Sequence, residues 1–553
     1  MRLVRTAILA FPVVFLGVFL LYPLGKILSM GLSPLAASGA SVFFELAESI
    51  GLWGLLGSSA AQALASTSLS LLIGLPAAYV FARFDFPLKR LMRTLLSIPF
   101  VLPSTVVGSA FIALIGSNGA VERLIGFVSG HPAPELGIVR TLAAVLLAHV
   151  FYNVAVVVRI VGGCWAGLDP RTEEAAKVLG AGRAAVFLRV TLRLLMPAIA
   201  AAGILVFSFC FTSFGTILIL GGPRTGTLET EIYRQAVHLF NLDAAAFLAL
   251  IQIGFTAVLM LLYSRLQAAM RITLKPGSPA LTARKPRSAG EKTMVGLFGF
   301  CLTAALVLPL AMLAAGSVST RNGVGLEYWS GLFVNLRGSL FWTSPLTAAR
   351  NSLFFSLTAV VFSLAIGVPA AYAAASRHRR LPALLDVLFL LPLGVSAVTL
   401  GFGFLIALGS PPLDLRSSFL IIPIAHAMAA LPLVTRSLTA PLQSMGPGLR
   451  EAASVLGAGP ARAVREVDFP ILRPALLGAA AFAFTVSLGE FAATSLLTRP
   501  ELTTIPMSIY GYLSRPGDLN QGMAFAMSTL LMIACGLGLA AIERARTRGT
   551  EIF

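Results

Sequence analysis

The sequence predicts an all-α integral membrane protein of about twelve transmembrane helices, arranged as two parallel six-helix repeats. The chain has 553 residues, of which 57% are hydrophobic and 12% charged, and its mean hydropathy is +0.88. Such a composition is too apolar for a soluble globular protein of this length. Apolar runs of about 20 residues, enough to cross a ~30 Å hydrocarbon core as helix, recur along the whole chain. Short segments of the first half also return at fixed offsets in the second half.

The basic residues predict the topology. Residues 31 to 57 contain two Glu and no Lys or Arg, whereas the next loop carries Arg83, Lys89, Arg90 and Arg93. Basic loops stay on the cytoplasmic side, so the first loop is expected outside, the second inside and both termini inside. The net charge of +18 is explained by these loops and does not indicate a nucleic-acid partner. The N-terminal apolar run is long enough to be a retained first helix rather than a cleaved signal peptide.

Two halves of the chain are built alike. One constant offset of 277 residues relates the Glu-Ala-Ala triplets at Glu174 and Glu451, and it also relates His149 to His426 and Tyr233 to Tyr510. Nearer the start of each half the offset is 293, as between Gly74 and Gly367, so the first half contains 16 additional residues. We expect these in an outer loop near residues 117–140. An even number of crossings in each half makes the repeats parallel rather than inverted.

The domain boundaries follow from the repeat and from composition. We predict a first repeat over residues 1–266, with a polar loop near 169–197, and a second over 293–553, with a polar loop near 446–474. Residues 267–292 are rich in Pro, Gly, Ser and basic residues and lack an apolar period, which predicts a cytoplasmic linker. A basic cluster at 377–380 is expected inside as well.

Each polar loop is predicted to form a short cytoplasmic helix. Asp169 can act as N-cap with Pro170 at the first helical position, and Gly446 and Pro447 can do the same in the second loop. The Ala pairs give a low-profile face, and a Gly four residues later permits a sharp helix end. A single copy would be better explained as a helical loop without a partner. Two copies in matched positions favour a docking helix for a soluble protein.

These loops resemble those of the permease subunits of binding-protein-dependent ATP-binding-cassette importers. The family signature is Glu-Ala-Ala, three residues, Gly, nine residues, an aliphatic residue, any residue and Leu-Pro. The first loop departs from it at Arg193, which replaces Pro, and the second ends in Phe469-Pro470. The resemblance implies the type I importer transmembrane fold in a bacterial inner membrane. It also implies ATPase-coupling residues at Glu174, Ala175, Ala176, Gly180, Glu451, Ala452, Ala453 and Gly457.

The same resemblance implies the partners. They are two copies of an ATPase subunit on the cytoplasmic side and an external or periplasmic solute-binding protein. The chain has no Gly-x-x-x-x-Gly-Lys-Ser/Thr loop, because its only Gly-Lys, at Gly25, lacks the required neighbours. We therefore expect no enzyme activity and no bound cofactor in this chain, with ATP and Mg²⁺ held by the partner. Its four cysteines are isolated, which indicates neither disulfides nor a metal site.

The substrate is less closely defined by sequence. Residues 147–153 and 211–215, with Gly221-Gly222, look most like thiamine permeases within the ferric-iron and thiamine importer group. Thiamine or its phosphates are therefore expected, with ferric iron as the alternative. A secondary transporter with parallel repeats is a more remote alternative, and it would carry more ionisable residues within its helices. A membrane scaffold or membrane enzyme is a third, without the clustered acids and histidines that catalysis needs.

A few polar residues within apolar segments are candidates for the translocation pathway. Glu490 is the most conspicuous acid, and its counterpart at the 277 offset is Ser213. The pair could line the path or gate, or could make hydrogen bonds that pack helices. His149 and His426 suggest a shared structural role. Gln252, Asn153 and Tyr152 are further polar candidates for the pathway.

Overall fold

The computed structural model describes residues 10–38, 40–131, 135–222, 225–273, 283–320, 323–335, 344–375, 388–389, 391–409, 411, 413–445 and 447–550. Within these residues, eleven helical stretches are long and apolar enough to cross a membrane, six in the first half and five in the second. A shorter apolar helix, Ala397–Ala407, supplies the element that the second half otherwise lacks. The protein is therefore the all-helical membrane protein that its composition predicts.

The first half contains thirteen α-helices among the described residues. They are α1 Tyr22–Ser38, α2 Ala40–Ile50, α3 Leu52–Arg83, α4 Lys89–Val101, α5 Ser104–Ile115, α6 Ala120–Ser129, α7 Leu142–Ala166, α8 Pro170–Val178, α9 Arg183–Val186, α10 Leu192–Phe211, α11 Gly215–Leu220, α12 Leu228–Tyr233 and α13 Leu242–Thr273. Turns of π-helix at Gly17–Leu21, Phe187–Thr191 and Arg234–His238 continue into neighbouring helices. The spanning helix at the N-terminus covers Ala10–Ser33.

Among its described residues, the second half repeats much of this order. Its helices are α14 Ala289–Gly316, α15 Glu327–Gly331, α16 Pro345–Ala374, α17 Ala397–Ala407, α18 Ile421–Ser444, α19 Pro447–Val455, α20 Pro460–Ala463, α21 Phe469–Gly489, α22 Ala492–Leu497, α23 Ile505–Leu513 and α24 Asp518–Thr550. A π-helical turn covers Val464–Asp468, and 3₁₀ turns cover Leu391–Gly394 and Pro500–Leu502. The strands β1 Ser319–Thr320 and β2 Gly323–Val324 form an antiparallel pair after α14.

The structure reproduces the repeat in register. Five helices of the first half, α8 to α12, and the π-helical turn before α10 have counterparts in the second half. Each begins 277 residues before its counterpart, which is one of α19 to α23 or the π-helical turn before α21. The additional residues of the first half lie between α5 and α7, where they include α6, whereas the described residues between α17 and α18 form no helix. The basic cluster predicted at 377–380 lies outside the described residues. The repeat in the sequence therefore corresponds to a repeat in the structure.

The helices extend into both ends of the segment that the sequence predicts as a linker. Helix α13 continues to Thr273 and α14 begins at Ala289, so the predicted linker 267–292 is helical at its ends. Good helix formers at its start, Gln-Ala-Ala-Met-Arg, explain the extension of α13. Ser288 caps α14 by accepting a hydrogen bond from the Glu291 amide at 3.1 Å.

The two halves are interlocked. Helix α5 of the first half packs against α14 and α24 of the second, while α17 of the second half packs against α1 of the first. The Ser528 hydroxyl donates to Ser109 at 2.8 Å across this boundary, where both side chains are buried. Because residues of both halves share one apolar cluster, the boundary between the halves is part of the core.

Two glycines allow close helix contacts at equivalent places in the two halves. In the first half α3 packs against α7, and a Cβ added at Gly74 would lie 2.7 Å from Val157 Cβ. In the second half α16 packs against α18, and a Cβ at Gly367 would lie 2.7 Å from Val434 Cγ1. Small residues at such crossings let helix backbones approach in a medium where helix packing relies on close contact. The two contacts are repeat counterparts.

We expect Gly74→Ala to destabilise the protein by about 1–3 kcal/mol, because the methyl group forces α3 away from Val157. The matched control is Gly54→Ala in the same helix, where an added Cβ meets nothing within 4 Å. Helix propensity alone would make the control neutral or slightly stabilising. The measurement is the thermal unfolding midpoint in detergent, and equal midpoints for the two variants would contradict the packing argument.

Candidate functional site

The first Glu-Ala-Ala helix has the predicted cap. The Asp169 carboxylate accepts a hydrogen bond from the Arg171 amide at 2.9 Å, and Pro170 is at the first helical position of α8. Gly446, the predicted cap of α19, lies outside the described residues. Gly180 and Gly457 follow the helix ends with φ of 83° and 80°, a region that glycine adopts without strain.

The ends of both helices form the same motif. The Ala181 amide donates to the Ala176 carbonyl at 3.0 Å, and the Gly180 amide donates to Lys177 at 3.0 Å. In the second half Ala458 and Gly457 make the corresponding bonds, at 2.9 and 3.0 Å. These paired bonds define a Schellman ending, which turns the chain sharply after the helix. The Gly residues of the sequence signature are therefore explained by backbone geometry.

Both helices expose the same face to solvent. Glu174, Ala175, Glu451 and Ala452 are exposed, while Ala176 and Ala453 are half-buried. Beside them lies an apolar pair that is about as exposed as a side chain can be: Val178 and Leu179 are each 87% exposed, Val455 87% and Leu456 86%. We call the set Glu174, Ala175, Val178 and Leu179, with its counterpart Glu451, Ala452, Val455 and Leu456, the docking faces. Paired apolar side chains so fully exposed indicate a surface that binds a partner.

Helix α8 is held to the bundle by an acid. The Glu173 carboxylate forms a salt bridge with Arg83 at the end of α3. The Thr191 hydroxyl, at the start of α10, donates to the same Glu173 oxygen at 2.9 Å. Glu173 therefore links α8 to two membrane helices at once.

Helix α19 is held by a base instead. Arg450, the counterpart of Glu173, donates through Nε and Nη2 to the Asp468 oxygens at 2.8 and 2.9 Å. The Tyr372 hydroxyl donates to the same carboxylate at 2.9 Å, and the Arg450 guanidinium lies 5.6 Å from the centre of the Tyr372 ring. The hydrogen bonds that Arg450 donates to Asp468 raise the pKa of Arg450 above its usual value. The docking helix thus contributes the acid of the anchoring ion pair in the first half and the base in the second half.

The repeated histidines each bridge two hydroxyl groups. Ser66 Oγ lies 2.9 Å from His149 Nδ1, and Ser213 Oγ lies 2.9 Å from His149 Nε2. In the second half, Ser487 Oγ and Thr494 Oγ1 each lie 2.8 Å from the two ring nitrogens of His426. Both histidines are buried, so the bridges satisfy polar groups that the bilayer cannot.

Glu490 caps a short helix. Its carboxylate accepts hydrogen bonds from the backbone amides of Ala493 and Thr494, each at 3.0 Å, and from the Thr494 hydroxyl at 2.9 Å. His426 Nε2 lies 3.6 Å from the same carboxylate. These contacts correspond to the packing role that the sequence left open, and they put Glu490 and Ser213 at matched positions beside the histidines.

Four aromatic residues meet where the halves join. The rings of Phe214 and Phe491, which are repeat counterparts, stack with centroids 5.6 Å apart and planes 25° apart. Tyr233 packs edge-on against Phe214 at 5.3 Å, and Tyr510 packs against Phe491 at 5.4 Å. We call these four residues the aromatic cluster. The sequence analysis noted the Tyr pair but missed the Phe pair, although both keep the 277 offset.

The remaining pathway candidates have partners. Asn153 donates to the His149 carbonyl at 2.8 Å and to Cys210 Sγ at 3.3 Å, and Tyr152 donates to the Leu102 carbonyl at 3.4 Å. Gln252 donates to Glu229, a buried acid that sequence analysis missed. Among the described residues no group of three or more His, Cys, Asp or Glu side chains could hold a metal ion.

Comparison with known proteins identifies the family. The sequence model described as "Binding-protein-dependent transport system inner membrane component" matches residues 70–272 and 363–549, one copy in each half. The thiamine transport system permease protein ThiP of Brucella abortus is 28% identical over 499 residues, covering 89% of this chain and 87% of the relative. The ThiP of Haemophilus influenzae is 26% identical, covering 88% and 87%. The molybdenum transport system permease ModB of Mycobacterium bovis is 35% identical over 206 residues, covering 37% of this chain and 75% of the relative.

We expect Arg450→Ala to loosen α19, because it leaves the Asp468 carboxylate, 2% exposed, without its cationic partner. Loss of one member of a buried pair costs several kcal/mol, and since Arg450 is 45% exposed we expect about 1–3 kcal/mol here. The matched control is Arg462→Ala, whose partner Glu466 is exposed, with an expected cost of ~0–1 kcal/mol. The measurement is amide hydrogen exchange over residues 447–455, and equal exchange in both variants would contradict the anchor.

Proposed function

This chain belongs to the family of binding-protein-dependent transport system inner membrane components, and we propose that it is the fused permease of an ATP-driven thiamine importer. Two family matches in one chain explain the repeat and the interlocked halves. A multi-pass membrane permease is a transporter subunit rather than an enzyme. The observation that carries the proposal is the pair of matched docking faces, which provides two similar binding sites for soluble subunits.

The substrate follows from similarity over nearly the whole chain. Thiamine permeases of several bacteria align with 88–90% of this chain, through both repeats. The molybdenum permease aligns with 37% of it. Full-length similarity includes the contacts between halves, where a substrate would cross, so thiamine or its phosphates is the favoured cargo. Ferric iron, the alternative that the sequence left open, is the comparison substrate in the test below.

The docking faces favour a separate motor. Each face combines an exposed acid with the exposed Val-Leu pair, the composition of a protein-binding surface rather than of a lipid-facing one. Two faces call for two ATPase subunits, which would hold ATP and Mg²⁺. Glu173 and Arg450 would then transmit the movement of those subunits to the membrane helices, since each anchors a docking helix to them. We propose that the docking faces and both termini are cytoplasmic and that a solute-binding protein docks on the opposite side.

The aromatic cluster is suited to be the gate. Its two Phe rings come from different halves, so separating the halves breaks their stacking. Glu490 and Ser213 directly precede Phe491 and Phe214 and fix the chain at that point through hydrogen bonds to Thr494 and His149. Their proposed role is therefore to position the gate residues. Alternating access then consists of opening this boundary toward one side at a time.

The proposal is tested by transport in proteoliposomes that contain this chain with its ATPase, supplied with its binding protein. We expect accumulation of labelled thiamine that requires ATP, Mg²⁺ and the binding protein together. Labelled ferric iron and molybdate serve as comparison substrates. Transport of either in place of thiamine would overturn the substrate, and accumulation driven by an ion gradient without ATP would favour a secondary transporter.

A second prediction concerns the docking faces. Replacing Val178 and Leu179 by Asp should abolish stable association of one ATPase subunit, and adding the same change at Val455 and Leu456 should abolish both. The reason is the loss of apolar area that only a bound partner would cover. The matched control is Val324→Asp, since Val324 is 90% exposed on β2, outside the docking faces.

The readout is the mass of the purified complex by light scattering, with ATPase activity measured alongside. Stepwise loss of one and then two ATPase masses is the expected result. Retention of both subunits in the quadruple variant would contradict the assignment of the docking faces.

A further inference from the structure

A small cavity lies where the two halves meet. It has a volume of about 40 Å³, which is room for a few water molecules or one amino group. Ser208, Thr212 and Thr256 of the first half line it, and Ser396 lines it from the second half. Its walls therefore carry hydroxyl groups from both halves, within a protein whose helices are otherwise largely apolar.

A buried acid adjoins this cavity. Glu229 on α12 is 0% exposed, and its carboxylate accepts a hydrogen bond from the Gln252 amide. The cavity residue Ser396 faces this carboxylate, and the cavity residue Thr256 donates to the backbone carbonyl of Gln252 at 2.9 Å. Glu229 Oε2 and Gln252 Oε1 are buried, and no described residue donates a hydrogen bond to either. A buried acceptor without a donor is costly, so these oxygens call for a ligand that supplies N–H groups.

The other half of the protein shows that the fold does not need this cluster. At the equivalent boundary four of the six polar residues are replaced by an apolar or small one, while Ser208 corresponds to Thr485 and Gln252 to Thr529. The replacements are Pro103 for Ser396, Gly489 for Thr212, Pro506 for Glu229 and Ile533 for Thr256. That boundary is closed, because a Cβ added at Gly489 would lie 2.6 Å from Pro103 Cγ. The same architecture thus forms with an apolar contact on one side and with a polar cavity on the other.

We propose that Glu229, Gln252 and Ser396 form a one-sided subsite for the amino-bearing end of the transported substrate. This inference rests on the proposed function. The aminopyrimidine ring of thiamine presents an exocyclic amino group, whose N–H groups match the two unpartnered oxygens. Hydrogen bonds are stronger in a water-poor site than in water. Since the cavity holds only a small group while the halves are together, the ring enters when the halves separate.

The test compares thiamine with an analogue that carries oxygen in place of the pyrimidine amino group. Uptake of each is measured as kcat/KM in proteoliposomes with the same binding protein and ATPase, for the wild type and for Glu229→Gln. The preference is the kcat/KM for thiamine divided by that for the analogue. The binding protein contributes equally to this preference in the wild type and in E229Q, so any difference between the two preferences is due to the permease. We expect the preference for thiamine to fall about 10-fold or more in E229Q, because an acceptor oxygen is replaced by an amide that can donate to the analogue.

Two further variants keep the result interpretable. Glu501→Gln, an exposed acid in the corresponding loop of the second half, should leave the preference unchanged. Gln252→Met retains side-chain length while removing Oε1, and it should lower the preference about 3-fold. If E229Q does not assemble with the ATPase, the preference of Q252M serves as the test of the subsite.

Each remaining outcome has a definite meaning. An unchanged preference in E229Q and Q252M, with active wild type, overturns the subsite and leaves the proposed function standing. Wild-type protein that takes up no thiamine overturns both. A last experiment tests whether the cluster binds an inorganic cation instead, by replacing K⁺ in the buffer with Na⁺ or with a bulky organic cation. If uptake depends on the alkali cation, E229Q abolishes this dependence and the substrate preference is unchanged, the subsite is overturned in favour of a cation site.

Discussion

The hydrocarbon core supplies no hydrogen-bond partners, and the rest of the structure depends on that constraint. Polar side chains in the bundle therefore bond to the protein itself. His149 and His426 each bridge two hydroxyls, and Glu490 takes up the free amides at the start of a short helix. Glu229 Oε2 and Gln252 Oε1 are two of ten buried side-chain atoms in the described residues that lack a hydrogen-bond partner. A polar group without a partner is informative here because most others have one.

Duplication supplies an internal comparison that a single domain lacks. Features present in both halves, such as the Gly–Val contacts, the bridging histidines and the Schellman endings, are required by the fold that both halves share. Features present in one half only, such as Glu229 and the hydroxyl-lined cavity, are free of that requirement. The docking faces have the same residue types in both halves, whereas the ion pairs that hold the docking helices to the bundle differ between the halves. Glu173 and Arg450 occupy equivalent positions with opposite charge.

The reversed anchors imply that the two docking helices are not mechanically identical. Glu173 connects α8 to α3 and to the start of α10, whereas Arg450 connects α19 to the start of α21 and approaches Tyr372 of α16. Each pair lies close to the exposed docking face and is itself partly or wholly buried. A force applied to the face therefore reaches the membrane helices through a short, charged contact, while the aromatic cluster responds at the boundary between halves.

The sequence by itself determined the fold class, the repeat and the docking helices. Apolar length, basic loops, the Asp169-Pro170 start and the Gly180 ending are local signals, and the local physics of helices fixes their meaning. The tertiary structure alone decided which polar residues meet. Glu229 and Ser396 are far apart in the chain, and no local pattern links them or links Arg450 to Asp468. The 277-residue offset relates Phe214 to Phe491, but it does not indicate that their rings stack. Their pairing depends on how the helices cross, and helix crossing depends on the complementary shapes of surfaces brought together only by folding.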